Sequence, residues 1–378
     1  MIVSTATCLA VVTINYAVGA GPAPGSGQGS PAIEVAHLTK RFGPAVAVDD
    51  VSFTVEQGEI FGYLGRNGSG KTTTVRMLAT LTRPTSGQAR ICGADITDAR
   101  RVRRLIGVTM QEAALDEAMT AGEHLRFVAG LSGLGRAAAR RRAEEVLEVV
   151  GLSRDAEVRI GAFSGGMKRR LDIASALISR PPVLFLDEPT TGLDPQSRRA
   201  VWEEIRTLQA SGATVFLTTQ YLEEADQLAG RLAIVDAGAI VAEGSPRKLK
   251  ADHGRTTITV AHNGVAGQIE STLKGDLLAD EHLATDGSGR TVITLSSGTG
   301  GERALELLAR IQGAGISPTH LAVTETSLED VFIRLTGTAI GVGASGSDGA
   351  SGSDGASGSD GASGSDGAPD GTGGEDRR

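Results

Sequence analysis

A glycine-rich octapeptide, Gly65-Arg66-Asn67-Gly68-Ser69-Gly70-Lys71-Thr72, constrains this chain more than any other segment. Residues 60–64 before it read Ile-Phe-Gly-Tyr-Leu, which is typical of a buried strand. Residues 72–81 after it predict a helix, with Val75, Leu78 and Leu81 on one side. A strand that passes through such a loop into a helix predicts an α/β fold of the phosphate-loop type.

The chemistry of this loop is anion binding, because it matches the pattern G-x-x-x-x-G-K-[ST]. Glycines at 65, 68 and 70 predict a backbone with positive φ that approaches phosphate closely, beside N–H groups at a helix start. Lys71 then reaches the β- and γ-phosphates of a nucleotide, and the Thr72 hydroxyl is a ligand for Mg²⁺. The alternative is an ordinary turn, since the chain has 52 glycines. The Gly-Lys-Thr sequence in the correct place favours the phosphate loop.

Two carboxylates follow a second apolar run. Residues 182–186 read Pro-Val-Leu-Phe-Leu and predict a buried strand that delivers Asp187 and Glu188 at its carboxyl end, where open α/β sheets bind ligands. Asp187 suits a direct or outer-sphere contact to Mg²⁺, and Glu188 is available to orient or deprotonate an attacking water. The alternative is an acidic pair that caps the turn at 189–195. The phosphate loop in the same chain favours the catalytic role.

A third segment, Phe163-Ser164-Gly165-Gly166-Met167, predicts a loop that enters a helix. Ser164 is a good N-cap, and the apolar face comprises Leu171, Ala174 and either Leu177 or Ile178. Two glycines beside a helix start offer N–H groups to an anion. Taken alone, the segment is an ordinary capped helix.

The chain resembles the ATP-binding subunit of an ABC transporter, because the phosphate loop, Gln111, the Ser-Gly-Gly segment and the acidic strand end follow one another in that order along the sequence. The resemblance implies a phosphate-loop NTPase domain of the ABC type, with a helical subdomain at 112–180 and a small C-terminal α+β domain. It implies ATP and Mg²⁺ as cofactors, with the metal at Thr72, Gln111 and Asp187. It also implies a head-to-tail pair of copies, in which the Ser-Gly-Gly segment of one copy binds the γ-phosphate held by the other. The implied ATP-binding residues are Phe42, Gly65, Arg66, Asn67, Gly68, Ser69, Gly70, Lys71, Thr72, Thr73, Gln111, Ser164, Gly165, Gly166, Met167 and Asp194.

Three of these positions lie outside the segments described first. Phe42 matches the aromatic residue that stacks on adenine, and a core phenylalanine is the alternative. Gln111 matches the glutamine that senses Mg²⁺ and γ-phosphate and lies near the membrane subunit. Asp194 matches the aspartate that communicates across the dimer.

One position departs from the family pattern. Most members have His at position 220, in contact with the γ-phosphate, and this chain has Gln220. A glutamine amide still donates to a phosphate oxygen but carries no titratable proton. The sequence of residues 218–226, Thr-Thr-Gln-Tyr-Leu-Glu-Glu-Ala-Asp, resembles the daunorubicin-resistance branch of drug-exporter ATPases. Gln220 is therefore interpreted as a feature of that branch. The implied catalytic residues are Glu188, Gln220 and Lys71.

Charge and cysteine content disfavour two other classes of protein. The formal net charge is −8, and residues 343–378 contribute −5 of it through seven carboxylates and two arginines. The rest is close to neutral, so no nucleic-acid partner is predicted. Arginine runs at 100–104 and 140–142 are interpreted as solvated helix faces. Cys8 and Cys92 are far apart, which argues against a disulfide framework.

Composition divides the chain into four parts. Residues 1–31 are interpreted as a disordered leader and linker, with a weak membrane-touching segment as the alternative. Residues 32–254 contain every motif and predict the nucleotide-binding domain. Residues 255–337 predict an accessory domain, with a helix at 302–312 whose apolar face is Leu305, Leu308 and Ile311. Residues 338–378 contain four Gly-Ala-Ser-Gly-Ser-Asp repeats and predict a flexible tail.

No stretch reaches a convincing transmembrane length, so the resemblance implies a peripheral subunit at the cytoplasmic face of the cell membrane. The resemblance also implies two partners, a separate multi-span membrane subunit and a second copy of the chain, and it implies that ATP hydrolysis powers drug or antibiotic export. Two alternatives remain open. One is an ABC ATPase without a membrane subunit, which the single motif set and the lack of a heptad run disfavour. The other is a regulatory module without turnover, which the intact Lys71, Asp187 and Glu188 disfavour and Gln220 keeps open.

Overall fold

The computed structural model describes residues 30–111, 114–261, 266–278, 281–286, 290–295, 300–324 and 326–337. Residues 1–29 of the predicted leader at 1–31, and the whole of the predicted tail at 338–378, lie outside the described residues. No helix in the described ranges is long and apolar enough to span a membrane.

The regular elements alternate between strands and helices along most of the chain. The strands are β1 (Ile33–Phe42), β2 (Ala45–Val55), β3 (Ile60–Gly65), β4 (Ser86–Ile91), β5 (Ala94–Asp95), β6 (Ile106–Thr109), β7 (Val183–Asp187), β8 (Thr214–Thr219), β9 (Arg231–Asp236), β10 (Ala239–Gly244), β11 (Thr257–Ala261), β12 (His282–Thr285), β13 (Arg290–Thr294) and β14 (His320–Thr324). The helices are α1 (Lys71–Leu78), α2 (Ala99–Val102), α3 (Ala121–Leu131), α4 (Arg136–Val149), α5 (Gly165–Leu177), α6 (Pro195–Ala210), α7 (Leu222–Leu228), α8 (Pro246–His253), α9 (Ala266–Leu273), α10 (Gly300–Gly313) and α11 (Leu328–Thr336).

The central sheet has six strands in the order β10-β9-β3-β8-β7-β6. Strands β3 and β7 both pair with β8 in parallel, so their carboxyl ends meet at one edge. Every residue of β3, β7 and β8 is buried. This burial explains their nearly continuous apolar sequences, because a parallel sheet is covered on both faces. The predicted strands at 60–64 and 182–186 are confirmed.

A second, antiparallel sheet covers one face of the central sheet. Its strand order is β2-β1-β4-β5. Phe53 of β2 stacks on Phe61 of β3 and on Phe216 of β8, with ring centroids 5.5 and 5.7 Å apart. These aromatic pairs fix the antiparallel sheet to the strands that lead into the predicted site.

The helical subdomain comprises α3, α4 and α5, as the resemblance implies. Arg142 of α4 is buried, and it donates hydrogen bonds to the carbonyls of Leu177 and Ile178 at the end of α5. The guanidinium therefore satisfies carbonyls that have no partner within their own helix. The prediction of a solvated arginine face at 140–142 is wrong for Arg142, although Arg140 and Arg141 are exposed.

The C-terminal part contains a four-stranded antiparallel sheet in the order β12-β13-β11-β14. Helices α9 and α10 contribute Ile269 and Leu307 to its separate core. The predicted helix at 302–312 is confirmed, but its predicted face is partly wrong, since Leu305 is 71% exposed. Ala304, Leu307 and Ile311 face the core instead, because a helix tolerates either spacing and the packing decides between them.

The last helix, α11, packs outside that C-terminal core. Its side chains Leu328, Val331 and Phe332 are buried in one cluster with Ala225 of α7 and Leu249 of α8. The end of the described chain thus completes the hydrophobic core beside α7.

The first helix is shorter than predicted. Helix α1 ends at Leu78, and Leu81 is 56% exposed rather than part of the apolar side. Thr80 has a left-handed φ of 59°, which cannot continue a right-handed helix.

Candidate active site

The phosphate loop connects β3 to α1 and needs glycine for two different reasons. Gly68 and Gly70 have φ values of 82° and 99°, as predicted, and a Cβ on Gly70 would lie 2.4 Å from the Ala47 carbonyl oxygen. The prediction of a positive φ is wrong for Gly65. A Cβ there would lie 2.4 Å from Ser69 Oγ and 2.5 Å from the Val235 carbonyl oxygen. Gly65 is therefore required by close packing against the loop itself.

Lys71, the first residue of α1, places its ammonium group inside this loop, with a side chain only 4% exposed. Its Nζ donates to the Gly65 and Arg66 carbonyls at 2.9 and 3.0 Å and lies 3.2 Å from Glu188 Oε1. Burial lowers the pKa of Lys71, and the nearby Glu188 and Asp187 carboxylates oppose that shift. The structure therefore joins the two separate sequence motifs through one ion pair.

Glu188 is held in an unusual backbone conformation by Thr218. Its φ is 48°, a left-handed value that costs ~1–3 kcal/mol outside glycine. The Glu188 N–H donates to the carbonyl and hydroxyl oxygens of Thr218, both at 3.1 Å. Its Oε2 accepts from Thr191 Oγ1 at 3.2 Å. These contacts direct the carboxylate toward Lys71 instead of along the strand.

Asp187 offers an oxygen that suits a cation. Its Oδ1 accepts from Thr218 Oγ1 at 2.5 Å, whereas Oδ2 is buried and has no hydrogen-bond partner in the described part of the chain. Ser69 Oγ in the phosphate loop is likewise buried and unpartnered among those residues. Buried oxygens without donors are costly, and a hard divalent cation satisfies them. With the half-buried Thr72 at the start of α1, this donor set fits Mg²⁺.

The Ser-Gly-Gly segment forms the predicted capped helix start. Ser164 Oγ accepts from the Met167 N–H at 3.3 Å, and Gly165 is exposed. Gly166 is buried against α6, where a Cβ would lie 2.7 Å from Ser197 Oγ and 2.8 Å from Ser197 Cβ. Gly166 thus has a packing role within this chain, apart from any contact with phosphate.

We expect Gly166→Ala to lower the free energy of unfolding by about 1–3 kcal/mol, because the added methyl group overpacks the contact with Ser197. Urea-induced unfolding without nucleotide measures this effect separately from ligand binding. Gly165→Ala is the matched control, since its Cβ would make only an ordinary 3.5 Å contact with Leu193. Equal stability of the two variants would contradict the expectation.

Arg169 is a residue of this site that the sequence did not single out. Its guanidinium donates to the Pro189, Met110 and Asp187 carbonyls at 2.9, 2.7 and 2.9 Å. It therefore ties α5 to the strand end that carries Asp187 and to the residue before Gln111. The available signal was the basic run 168–170 after a capped helix start, in which Arg169 alone is buried.

Four predicted residues lie apart from the ion pair. Phe42 is 54% exposed with Lys40 Nζ 4.9 Å above its ring, so the alternative of a core phenylalanine is wrong. Gln111 is exposed beyond the end of β6, and Gln220 is half-buried between β8 and α7. Asp194 Oδ1 caps α6 by accepting from the N–H groups of residues 196 and 197. In the described residues, no hydrogen bond or ion pair joins these four to Lys71 or Glu188.

Two family models match this chain over separate regions. The model described as ABC transporter matches residues 48–191. The model described as the C-terminal domain of an ATP-binding protein like DrrA1-3 matches residues 244–336. Together they cover the phosphate loop, the acidic strand end and the C-terminal part.

Curated relatives match over most of their length. The daunorubicin resistance ATP-binding protein DrrA3 of Streptomyces coeruleorubidus is 43% identical, over 81% of this chain and 96% of that protein. The doxorubicin resistance ATP-binding protein DrrA of Mycobacterium tuberculosis is 42% identical, over 81% of this chain and 93% of its own length. The Nod factor export ATP-binding protein I of Burkholderia lata is 40% identical, over 81% of this chain and 97% of its own length.

Two solved structures share the fold. A structure described as an ATP-binding subunit of an ABC transporter has 31% identity and a TM-score of 0.53, and covers 59% of this chain and 93% of its own. The ATP-binding cassette MJ0796, described as a dimeric post-hydrolysis state bound to ADP and Pi, has 26% identity and a TM-score of 0.52. That match covers 56% of this chain and 98% of the cassette.

Proposed function

Because the chain belongs to the family of ABC transporter ATP-binding subunits, we propose that two copies of it hydrolyse Mg·ATP between them and drive a separate membrane subunit. The observation that carries the hydrolytic part is the 3.2 Å ion pair between Lys71 and Glu188. It places a phosphate-binding cation and a candidate general base at one point. Release of phosphate from Mg·ATP by the purified chain tests this part.

In the proposed mechanism, the loop N–H groups and Lys71 hold the β- and γ-phosphates. Thr72, Gln111 and Asp187 would hold Mg²⁺, which would neutralise charge on the phosphate oxygens. Glu188 accepts a proton from the water that attacks the γ-phosphorus, while the bond from that phosphorus to the β–γ bridging oxygen breaks and ADP leaves. Thr218 and Thr191 fix the carboxylate that receives this proton, since both contact Glu188.

The remaining predicted residues belong to the same proposal. The exposed ring of Phe42 is available to stack on adenine, and the Gln220 amide donates to the γ-phosphate without taking up a proton. Ser164 to Met167 and Asp194 face the nucleotide held by the second copy. The exposure of Gly165 at the N-terminus of α5 supports this arrangement, because the N–H groups at a helix start attract an anion.

We place the membrane subunit at a groove beside β6, the strand that leads to Gln111. The groove has a volume of about 730 Å³ and is bounded by β6, α4 and the end of α5. It brings together the ends of the two arginine runs of the sequence. Its charged lining is Arg103, Arg104, Arg141, Arg142, Arg180 and Glu145. Glu145 pairs with Arg142 and Arg180, so the groove keeps a positive excess that fits an acidic segment.

We expect the double substitution Arg104→Glu and Arg141→Glu to weaken co-purification of the membrane subunit by at least about tenfold, because reversed charges oppose an acidic partner. Arg100→Glu with Arg136→Glu is the matched control, since both side chains are exposed and neither lines the groove. The thermal unfolding midpoint checks that all variants fold. Equal loss of the partner in both pairs, or in neither, would contradict the placement.

The transported molecule is proposed from the relatives. Drug-resistance proteins and a Nod factor exporter have similar identity to this chain, and we favour drug or antibiotic export at the cytoplasmic face of the membrane. We also propose that the chain is divided into two functional parts, a nucleotide-binding part at 32–254 and an accessory part at 255–337. Sensitivity of cells that lack this chain to anthracycline drugs tests the cargo.

A further inference from the structure

A glutamate outside the described machinery is completely buried behind it. Glu224 lies in α7 and has no exposed surface. Its Oε1 accepts two hydrogen bonds, from Thr190 Oγ1 at 2.8 Å and from Trp202 Nε1 at 2.9 Å. A buried carboxylate is costly even when it is hydrogen-bonded, so its position calls for a specific reason.

The partners of Glu224 come from three elements of the proposed site. Thr190 follows Glu188 by two residues in the turn after β7. Trp202 belongs to α6, whose N-cap is Asp194. Glu224 itself is in the first turn of α7, which begins directly after Gln220 and Tyr221. One carboxylate oxygen therefore links the segments that present Glu188, Asp194 and Gln220.

We propose that Glu224 is a positioning residue for ATP hydrolysis, which holds the Glu188 turn, α6 and the start of α7 in a fixed arrangement. The inference rests on the proposed function, because it assigns Glu224 a role in the reaction of Glu188. Glu224 does not contact the reacting groups. It acts on them through Thr190, Trp202 and its own helix.

The charges around Glu224 come from two arginines. Arg198 and Arg169 both interact electrostatically with its carboxylate, and the Arg198 guanidinium also lies 4.5 Å from the centroid of the Tyr221 ring. Burial raises the pKa of Glu224, and hydrogen bonding from Thr219, Thr190 and Trp202 opposes that shift. Since these donors are neutral and fixed in place, deleting the Thr190 or the Trp202 donor leaves the carboxylate less well satisfied.

Three substitutions test the network, and among them only Trp202→Phe makes a buried core side chain smaller. Thr190→Val and Trp202→Phe each delete one donor, and Glu224→Gln keeps the shape but removes the charge. We expect each to lower kcat for ATP hydrolysis by the full chain by about 10- to 100-fold, with KM for ATP changed less than about threefold. Glu223→Gln is the matched control, because the adjacent carboxylate is 65% exposed on the same helix and its 4.0 Å separation from Arg198 is too long for a hydrogen bond. Its kcat should equal the parental value.

Normalising kcat to the number of sites that bind an ATP analogue separates positioning from partial unfolding. A role in folding alone would reduce the number of binding sites and leave kcat per site at the parental value, and that result overturns the proposal. So does an equal effect of Glu223→Gln. Trp202 is the only tryptophan of the chain, so its emission spectrum should shift in Glu224→Gln and not in Glu223→Gln.

The failure of this inference is distinguishable from failure of the proposed function. If the parental chain hydrolyses Mg·ATP and Lys71→Ala does not, the proposed function stands. In that case, a parental kcat per site in the three variants rejects only the positioning role of Glu224. If the parental chain hydrolyses no ATP, the proposed function fails and this inference fails with it. Non-additive kcat effects in the Thr190→Val, Glu224→Gln double variant would support a shared network.

Discussion

Replacing Glu188 with glutamine is expected to slow ATP hydrolysis by about 10²–10⁴-fold while ATP still binds. Glutamine keeps the shape of the side chain but cannot accept a proton from the attacking water. The backbone contacts of residue 188 with Thr218 are unchanged by the substitution, so the site should keep its geometry. Because reopening of the paired copies follows hydrolysis in the proposed cycle, the ATP-bound dimer should accumulate.

Gel filtration with ATP and Mg²⁺ measures this accumulation. The Glu188→Gln chain should elute as a dimer and the parental chain mostly as a monomer, and chelation of Mg²⁺ should return the variant to monomer. Glu223→Gln is the control for loss of an exposed carboxylate.

Adding Gly165→Asp to Glu188→Gln should abolish the dimer, since a carboxylate would repel the γ-phosphate of the other copy. Within the chain, Gly165 has room for a side chain, so the second substitution tests the cross-subunit contact rather than folding. A Glu188→Gln variant that binds ATP and stays monomeric, with the membrane subunit present, argues against the paired mechanism.

Substituting Lys71 with alanine should remove nucleotide binding or turnover without unfolding the protein. The ammonium group binds two loop carbonyls and Glu188, and its proposed partner is phosphate. Loss of a hydrogen-bonded charge from a buried site costs roughly 2–5 kcal/mol of binding free energy, which lowers ATP affinity by about 30- to 5,000-fold. Equilibrium binding of ATP measures this loss.

Lys250→Ala is the matched control for Lys71→Ala. Lys250 also pairs with a carboxylate, Asp226, at 2.7 Å, but it lies on α8. ATP affinity should be parental in this control. If Lys71→Ala hydrolyses ATP at the parental rate, the assignment of the phosphate loop is wrong.

Local rules predicted much of this site because its parts are short and their chemistry is contained in neighbouring residues. The Ser164 cap, the positive φ of Gly68 and Gly70, and the buried strand before Asp187 all depend on a few adjacent positions. The meeting of Lys71 with Glu188 followed from the family pattern and from the common edge of β3 and β7.

Contacts between distant residues were beyond such rules. Arg169 binds a carbonyl 59 positions earlier, and Glu224 binds a hydroxyl 34 positions earlier, so nothing near either residue in sequence reveals its partner. In the sequence, Arg142 looks like one arginine of an exposed run. Only the folded chain shows that the end of α5 lies beside it and accepts its hydrogen bonds. The helical periodicity predicted around Leu305 is correct, but the predicted apolar face is not. Only packing against the sheet decides which of two neighbouring faces of this helix is buried.

The position of α11 has a consequence for synthesis of the protein on the ribosome. All the motif residues and the helix α7 have left the ribosome before α11 is made, yet Leu328, Val331 and Phe332 cover the apolar side of α7 and α8. Elongation at roughly 5–20 residues per second leaves that surface exposed to the cytosol for several seconds while residues 254–327 are added. A chain that stops early therefore carries a complete set of nucleotide-binding motifs together with an uncovered hydrophobic patch, and such a patch is a site for chaperone binding or aggregation.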